Sequence, residues 1–404
     1  MAISSTHPYP RRRAAARLGV ILTVCAFAAI AVMIVIDPAK RAVTPVYIAA
    51  AAKFFAQDNF YTPEASGGFL YLPAFAALFF PMTVFGPVIC NLIWRTLILA
   101  VLAFALSRAI RRVNSNIDRF DMTGLTLLFA IAGAAGAVRN GQSTPLLLAA
   151  TFLAFDAAYD RRLAAAAAWA TLAVVAKPLG IVVWLLIGGT RPKSAPWLLG
   201  FLAIALLAPF ALADKNYVYF LYAQCAAMLS NVAPELGRNA EWTDFMAIVR
   251  ALGLTLNAGV VHAIQLVAAL MTLIAALALM RKKDYLTAAI MPATLACSYM
   301  LLFNPRAEIN TYIMMAIPYS LLAAYLLCAT QKAYSGLALG LACVALGTGA
   351  LGAPVMKMFD PWSKPVLLSF CMGLCCFSLL RKTGDDADPN RSNLTPDAGA
   401  LARQ

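Results

Sequence analysis

The apolar run LAAAAAWATLAVVAKPLGIVVWLLIGG, residues 163–189, carries one lysine, Lys177, followed at once by Pro178. Inside a single membrane helix that ammonium would cost about 2.5–3.5 kcal/mol. The proline would also remove a backbone donor and clash with the preceding turn. Other polar groups stand beside apolar runs: RNGQST (139–144), NPRAEINTY (304–312), and Asp37 at the end of the first run. Arg139, Asn140, Gln142, Arg306, Glu308 and Asp37 together offer cations, amides and carboxylates. Cations neutralise phosphate, while amides and carboxylates fix hydroxyls. A carboxylate in such company can also take the proton of an attacking hydroxyl while fixed cations stabilise a departing phosphate.

These residues are held by a chain that is 62% hydrophobic and only 12% charged over 404 residues, which excludes a soluble globule. Apolar stretches of bilayer-spanning length recur between residues 18 and 380, so the chain reads as an all-α polytopic membrane protein. Its net charge of +14 does not indicate nucleic-acid binding. The basic residues sit in short loops beside apolar runs, as the positive-inside rule requires, and no soluble domain carries a basic face. Most of the nine cysteines fall within apolar runs, where cysteine packs as a small hydrophobe. The histidines are His7 and His262. No metal-ligand cluster and no Rossmann or P-loop signature appears, so no metal and no cofactor is expected.

Basic clusters occur at 11–17, 108–119, 161–162, 191–193, 281–283, 332 and 381–382. If all face the cytoplasm, an even number of crossings must separate each consecutive pair. Three apolar runs lie between 17 and 108, so one cannot cross. The best candidate is 69–85, short and broken by Pro73 and Pro81, which suits a re-entrant or interfacial helix. The same parity makes 163–189 a hairpin with Lys177–Pro178 at its turn, open to the outer side. The walk predicts about twelve spans: 18–36, 88–107, 121–138, 143–158, 163–176, 178–189, 196–212, 259–280, 285–303, 312–329, 333–352 and 364–380. Residues 1–17 become a cytoplasmic N-terminal segment, 18–380 one transmembrane domain, and 381–404 a disordered cytoplasmic tail. The outer loops 37–87 and 213–258 are too long to be connectors alone. Lys177 is expected to share one outward anion pocket with Asp37.

The pattern VYIAAAAKFFAQDNFYTP, then FLYLP with Tyr71, a tryptophan-containing span, NGQ before an apolar helix, and AVVAKP resembles glycosyltransferase family 87. The resemblance covers about residues 18–330. It implies a C-type glycosyltransferase (GT-C) fold with juxtamembrane helices on the outer face. It further implies a polyprenyl-phosphate-linked hexose donor, mannose-like, and transfer to a lipid or envelope glycan acceptor at the periplasmic face of a bacterial inner membrane. Such relatives typically carry an acidic residue four positions before the tyrosine of the VY element; here that position is Val43. Histidines that some relatives carry near residues 304–312 are replaced by PRAEINTY.

The residues then take these expected roles. Asp37 is the base, with Asp58, Glu64 and Glu308 in reserve. Lys177 and Arg306, backed by Arg139, hold the donor phosphate. Gln142, Asn140, Glu308 and Tyr71 contact sugar or acceptor. Direct displacement implies inversion at the anomeric carbon. Two other classes compete. A catalytically inactive relative would bind polyprenyl phosphate without turnover, consistent with Val43. A secondary transporter would usually show repeated halves, and no internal repeat is visible.

Overall fold

Alanine and leucine, which lose little on entering a helix, dominate the apolar runs. The computed structural model describes residues 10–61, 68–113, 117–232, 242–304, 307–330, 332–347 and 361–380. The helices are α1 (Pro10–Ile36), α2 (Thr44–Ala56), α3 (Pro73–Phe79), α4 (Pro87–Val113), α5 (Arg119–Asn140) and α6 (Thr144–Tyr159). Next come α7 (Leu163–Ala176), α8 (Ile181–Thr190), α9 (Ala195–Leu207), α10 (Lys215–Val232) and α11 (Phe245–Ala251). The last are α12 (Ala258–Leu279), α13 (Met291–Phe303), α14 (Ile313–Ala329), α15 (Ala333–Ala345) and α16 (Ser363–Cys375). Among the described residues, seven helical stretches are long and apolar enough to cross a membrane, and further apolar helices are shorter. The expected tail, 381–404, lies outside the described residues, as do Arg306 and Glu64.

One boundary differs from expectation and one agrees with it, each in an informative way. The first helix begins at Pro10, within the segment read as cytoplasmic, because RRRAAAR is itself a good helix former. Residues 69–85 yield only the seven-residue α3 and a five-residue 3-10 turn, Phe80–Val84. Neither approaches the length needed to cross.

Hydrogen bonds fix which helix ends meet. Arg13 on α1 pairs with Asp118 (2.8 Å) and Asp121 (2.9 Å) at the start of α5, so these two helices run parallel. They cross closely there: a Cβ on Gly19 would strike the Gly124 carbonyl, and one on Gly124 would strike the Ala16 backbone. Arg191 Nε donates to the Ala158 carbonyl (3.1 Å), which brings the end of α8 back beside the end of α6. With α7 beginning just after α6, residues 163–190 form an antiparallel hairpin. Lys177 ends α7 in an extended conformation (φ −161°, ψ 131°), the region that a following proline imposes.

The same basic end holds a buried cluster. Asp156, 3% exposed, accepts from Arg108 Nε (2.6 Å), Arg112 Nη1 (2.6 Å), Arg162 Nη2 (3.0 Å) and Tyr285 Oη (2.9 Å). Asp160 takes a further bond from Arg112 (2.8 Å). Guanidinium groups from α4 and the α6–α7 turn therefore share two carboxylates of α6. At the opposite end, α2, α3 and α10 form a cover. Tyr217 of α10 donates to the Asp58 carbonyl (2.8 Å), and Tyr222 to Leu206 (2.7 Å).

Replacing Asp156 by asparagine would leave three guanidinium groups sharing the single carboxylate of Asp160. Thermal melting in detergent is expected to show a loss of about 2–4 kcal/mol, somewhat below a fully buried pair because the arginines stay partly exposed. Melting within 0.5 kcal/mol of the parent, roughly the level of a neutral surface change, would mean the cluster carries no such strain.

Candidate active site

The turn between α5 and α6 organises the polar end, and a buried arginine organises the turn. Arg95 on α4 is 1% exposed. Its Nε donates to the Val138 carbonyl (2.9 Å) and its Nη2 to the Arg139 carbonyl (2.7 Å), both at the end of α5. Nη1 donates to Asn91 Oδ1 (2.5 Å) and reaches Thr44 Oγ1 of α2 (3.4 Å). The last carbonyls of a helix lack internal partners and carry partial negative charge, so this guanidinium satisfies and neutralises them together. Trp94 Nε1 adds a bond to the Gly141 carbonyl (2.8 Å), and Val43 N one to the Asn140 carbonyl (2.8 Å). Gly141 is required twice over: its φ is +65°, and a Cβ there would press on Arg95 and Thr44.

Two polar groups flank this turn. On one side, Gln142 Nε2 donates to Glu308 Oε2 (2.8 Å), joining residues 166 positions apart. Lys177, half-buried at the hairpin turn, faces the same Glu308 charge. Ser143 donates to the Ala176 carbonyl (2.7 Å), tying the α7–α8 break to the α5–α6 turn. Tyr71 is 9% exposed, stacked on Phe75 (4.6 Å between ring centres). Its hydroxyl sits 2.6 Å from that of Tyr47 and 3.3 Å from Ser143 Oγ. It serves as packing and support at the edge of the group.

On the other side is a cavity of about 450 Å³, lined by Asp37, Lys40, Arg95 and Arg139 among others. Asp37 Oδ1 accepts from the backbone amides of Ala39 and Lys40 (3.1 Å each). Its carboxylate is exposed to the cavity. Lys177 does not line it. The pocket expected to join Lys177 and Asp37 is thus divided: Lys177 lies within the influence of the Glu308 charge, and Asp37 lines a cavity with Lys40 and Arg139. The Arg95-held turn stands at the junction, since Arg139 lies on its near side and Gln142 on its far side. Asn310 packs against Gly136 of α5.

Sequence reasoning missed two contributors. Arg95 was visible as an arginine inside an apolar span, which is a functional signal in itself. Asp244 gave no signal, being one acidic residue in a long outer segment. It is 1% exposed, and among the described residues no side chain donates to its oxygens, although the backbone amides of Ala247 and Met246 lie near them. The backbone beside it is fastened near Glu308: Thr243 donates from both N (2.8 Å) and Oγ1 (2.7 Å) to Ala307 O, and Tyr312 Oη donates to Thr243 O (2.6 Å). Burial pushes the Asp244 carboxyl up to about 6, with the Arg250 charge pulling it the other way.

A model of glycosyltransferase family 87 matches residues 69–305, more than half of the chain. No curated protein and no solved structure matches it.

Because folding raises the Asp244 pKa, the folded state keeps a proton that the unfolded chain releases. That contribution is complete below the ordinary aspartate value, about 4, and is lost as pH rises through about 6. Melting of the parent protein is expected to lose up to roughly 3 kcal/mol across this window. Asp244→Asn should flatten that slope, and an identical slope in both proteins would exclude Asp244 as its source.

Proposed function

The chain belongs to glycosyltransferase family 87 and is a membrane glycosyltransferase, and from that premise we propose that it moves a hexose, mannose-like, from a polyprenyl phosphate to a lipid or glycan acceptor. The proposed face is extracytoplasmic, in a bacterial inner membrane, and the proposed architecture is a GT-C fold of about twelve spans. What supports the orientation is that Arg13, Arg108, Arg112, Arg162 and Arg191 gather at one end, the cytoplasmic one by the positive-inside rule. The observation that carries the chemistry is the pair of carboxylates, Asp37 and Glu308, flanking one arginine-held turn at the other end.

In the proposed reaction Asp37 takes the proton of the acceptor hydroxyl. The hydroxyl oxygen bonds to the anomeric carbon as the bond from that carbon to the phosphate oxygen breaks. Polyprenyl phosphate leaves with the electron pair, and the anomeric centre inverts. Asp37 suits the base because only Oδ1 is held by backbone amides, which leaves Oδ2 for a hydroxyl. Arg139 and Lys177 are proposed to stabilise the leaving phosphate, joined by Arg306 from outside the described residues. Glu308, Gln142 and Asn140 are proposed to hold sugar or acceptor hydroxyls, and the Gln142–Glu308 bond fixes two of these groups relative to each other. Val43, where relatives carry an acidic residue, supports a second reading: a relative that binds polyprenyl phosphate without turnover. Single-turnover product analysis separates the two.

A reconstituted transfer assay with polyprenyl-phosphate-hexose tests the roles. Asp37→Asn is expected to lower kcat by roughly a hundred- to ten-thousandfold with little change in KM. Glu308→Gln is expected to act mainly on KM. Full transfer by Asp37→Asn together with loss in Glu308→Gln would make Glu308 the base. Lys177→Ala is expected to weaken donor binding by about 2–5 kcal/mol, and unchanged affinity would remove it from the phosphate site.

A further inference from the structure

Below the Asp37 cavity lies a larger one that the chemistry above does not employ. It encloses about 690 Å³ between α1, α4 and α5, with α14 closing its upper part. Its walls are almost wholly apolar, many of them alanines such as Ala103, Ala130 and Ala134. Along α5 it extends from Thr123 to Val138, roughly 22 Å at about 1.5 Å per residue. Ile30 lines both cavities, so the apolar one ends where the polar one begins.

The apolar cavity is a groove and not an interior void: Val24 and Ala103 in its wall stand exposed, so a chain can enter it sideways from the surrounding lipid. Its upper end has a definite charge: Lys40, Arg95 and Arg139 face a single carboxylate, Asp37. An apolar channel crowned by excess positive charge fits an amphiphile with one long chain and an anionic head. A diacyl phospholipid would have to seat two chains in a slot walled by three helices.

We propose that α1, α4 and α5 form the lipid groove of the enzyme, holding one polyprenyl chain along α5 with its phosphate against Arg139 and Lys40. This rests on the reading of the protein as a polyprenyl-phosphate-dependent transferase, and it specifies where the lipid lies. The phosphate then sits on the Asp37 side of the α5–α6 turn. Arg95, already donating to carbonyls, contributes charge behind it. Lys177, on the far side with Glu308, approaches the same phosphate from across the turn.

The test uses the full chain in phosphatidylcholine nanodiscs and a polyprenyl monophosphate carrying a photoreactive diazirine near the end of its chain. Cross-linked peptides are mapped by mass spectrometry. Adducts are expected on α1, α4 and α5, undiminished by excess phosphatidylglycerol. Ala103→Trp, at an exposed position in the groove wall, and Arg139→Gln, at its head, should each reduce them roughly tenfold or more. Adducts confined to α7 and α8, or groove adducts that phosphatidylglycerol removes as readily as unlabelled probe, would overturn the proposal. So would unchanged labelling in a folded Ala103→Trp protein. Hexose transfer measured on the same preparations keeps the two readings apart. Transfer without groove labelling refutes the groove alone; groove labelling without transfer from polyprenyl-phosphate-hexose supports the groove and refutes the transferase roles.

Discussion

The polar end of this protein depends on one guanidinium meeting the end of one helix. A helix that stops within apolar surroundings leaves carbonyls that neither water nor a following turn will satisfy, each a penalty of several kcal/mol in hydrocarbon. Arg95 resolves this by donating to Val138 and Arg139, while Asn91 and Thr44 take up its remaining reach. A buried cation is tolerated because helix-end carbonyls and a side-chain amide surround it. No carboxylate pairs with it among the described residues. Loss of Arg95 would therefore free a turn, and with it Arg139, Asn140 and Gln142 at once.

From that anchor the remaining geometry is a matter of fastening. Trp94 fixes Gly141, Val43 fixes Asn140, and Ser143 fixes the break after α7. The aromatic group of Tyr47, Tyr71, Phe75, Phe79 and Trp94 packs edge-on and stacked beneath α2 and α3, supplying a rigid apolar backing. Polar side chains then project from a short turn whose carbonyls from Val138 to Gly141 are all engaged. Preorganisation of this kind is what an electrostatic site needs, since groups already held in place cost little reorganisation when charge moves.

Much of the fold was legible because basic clusters and span parity are long-range statements written in single residues. Lys177–Pro178 announced a break, and the break is there, with α8 returning to Ala158. The prolines at 73 and 81 announced short pieces, and α3 with its 3-10 turn is short. The site was legible only as a set of residues at one level. Which carboxylate faces which cation depends on the rotation of helices about their axes, and apolar runs with almost uniform faces do not encode that rotation. Gln142 and Glu308 meet across 166 positions because α5 and α14 pack together, a fact no local pattern contains. Asp37 and Lys177, expected in one pocket, part company around Gly141 for the same reason.

The level at which Arg95 sits has a consequence for the bilayer. Arg95 lies eight residues inside the start of α4, roughly 12 Å below that helix tip at about 1.5 Å per residue. Down the same helix, seventeen residues separate it from Arg112 in the basic cluster, roughly 25 Å and so thinner than a hydrocarbon core of about 30 Å. Arg95 and the helix end it holds therefore lie well below the tip of α4, with short helices such as α6 and α7 beside them. Thin bilayers would match this region better than thick ones.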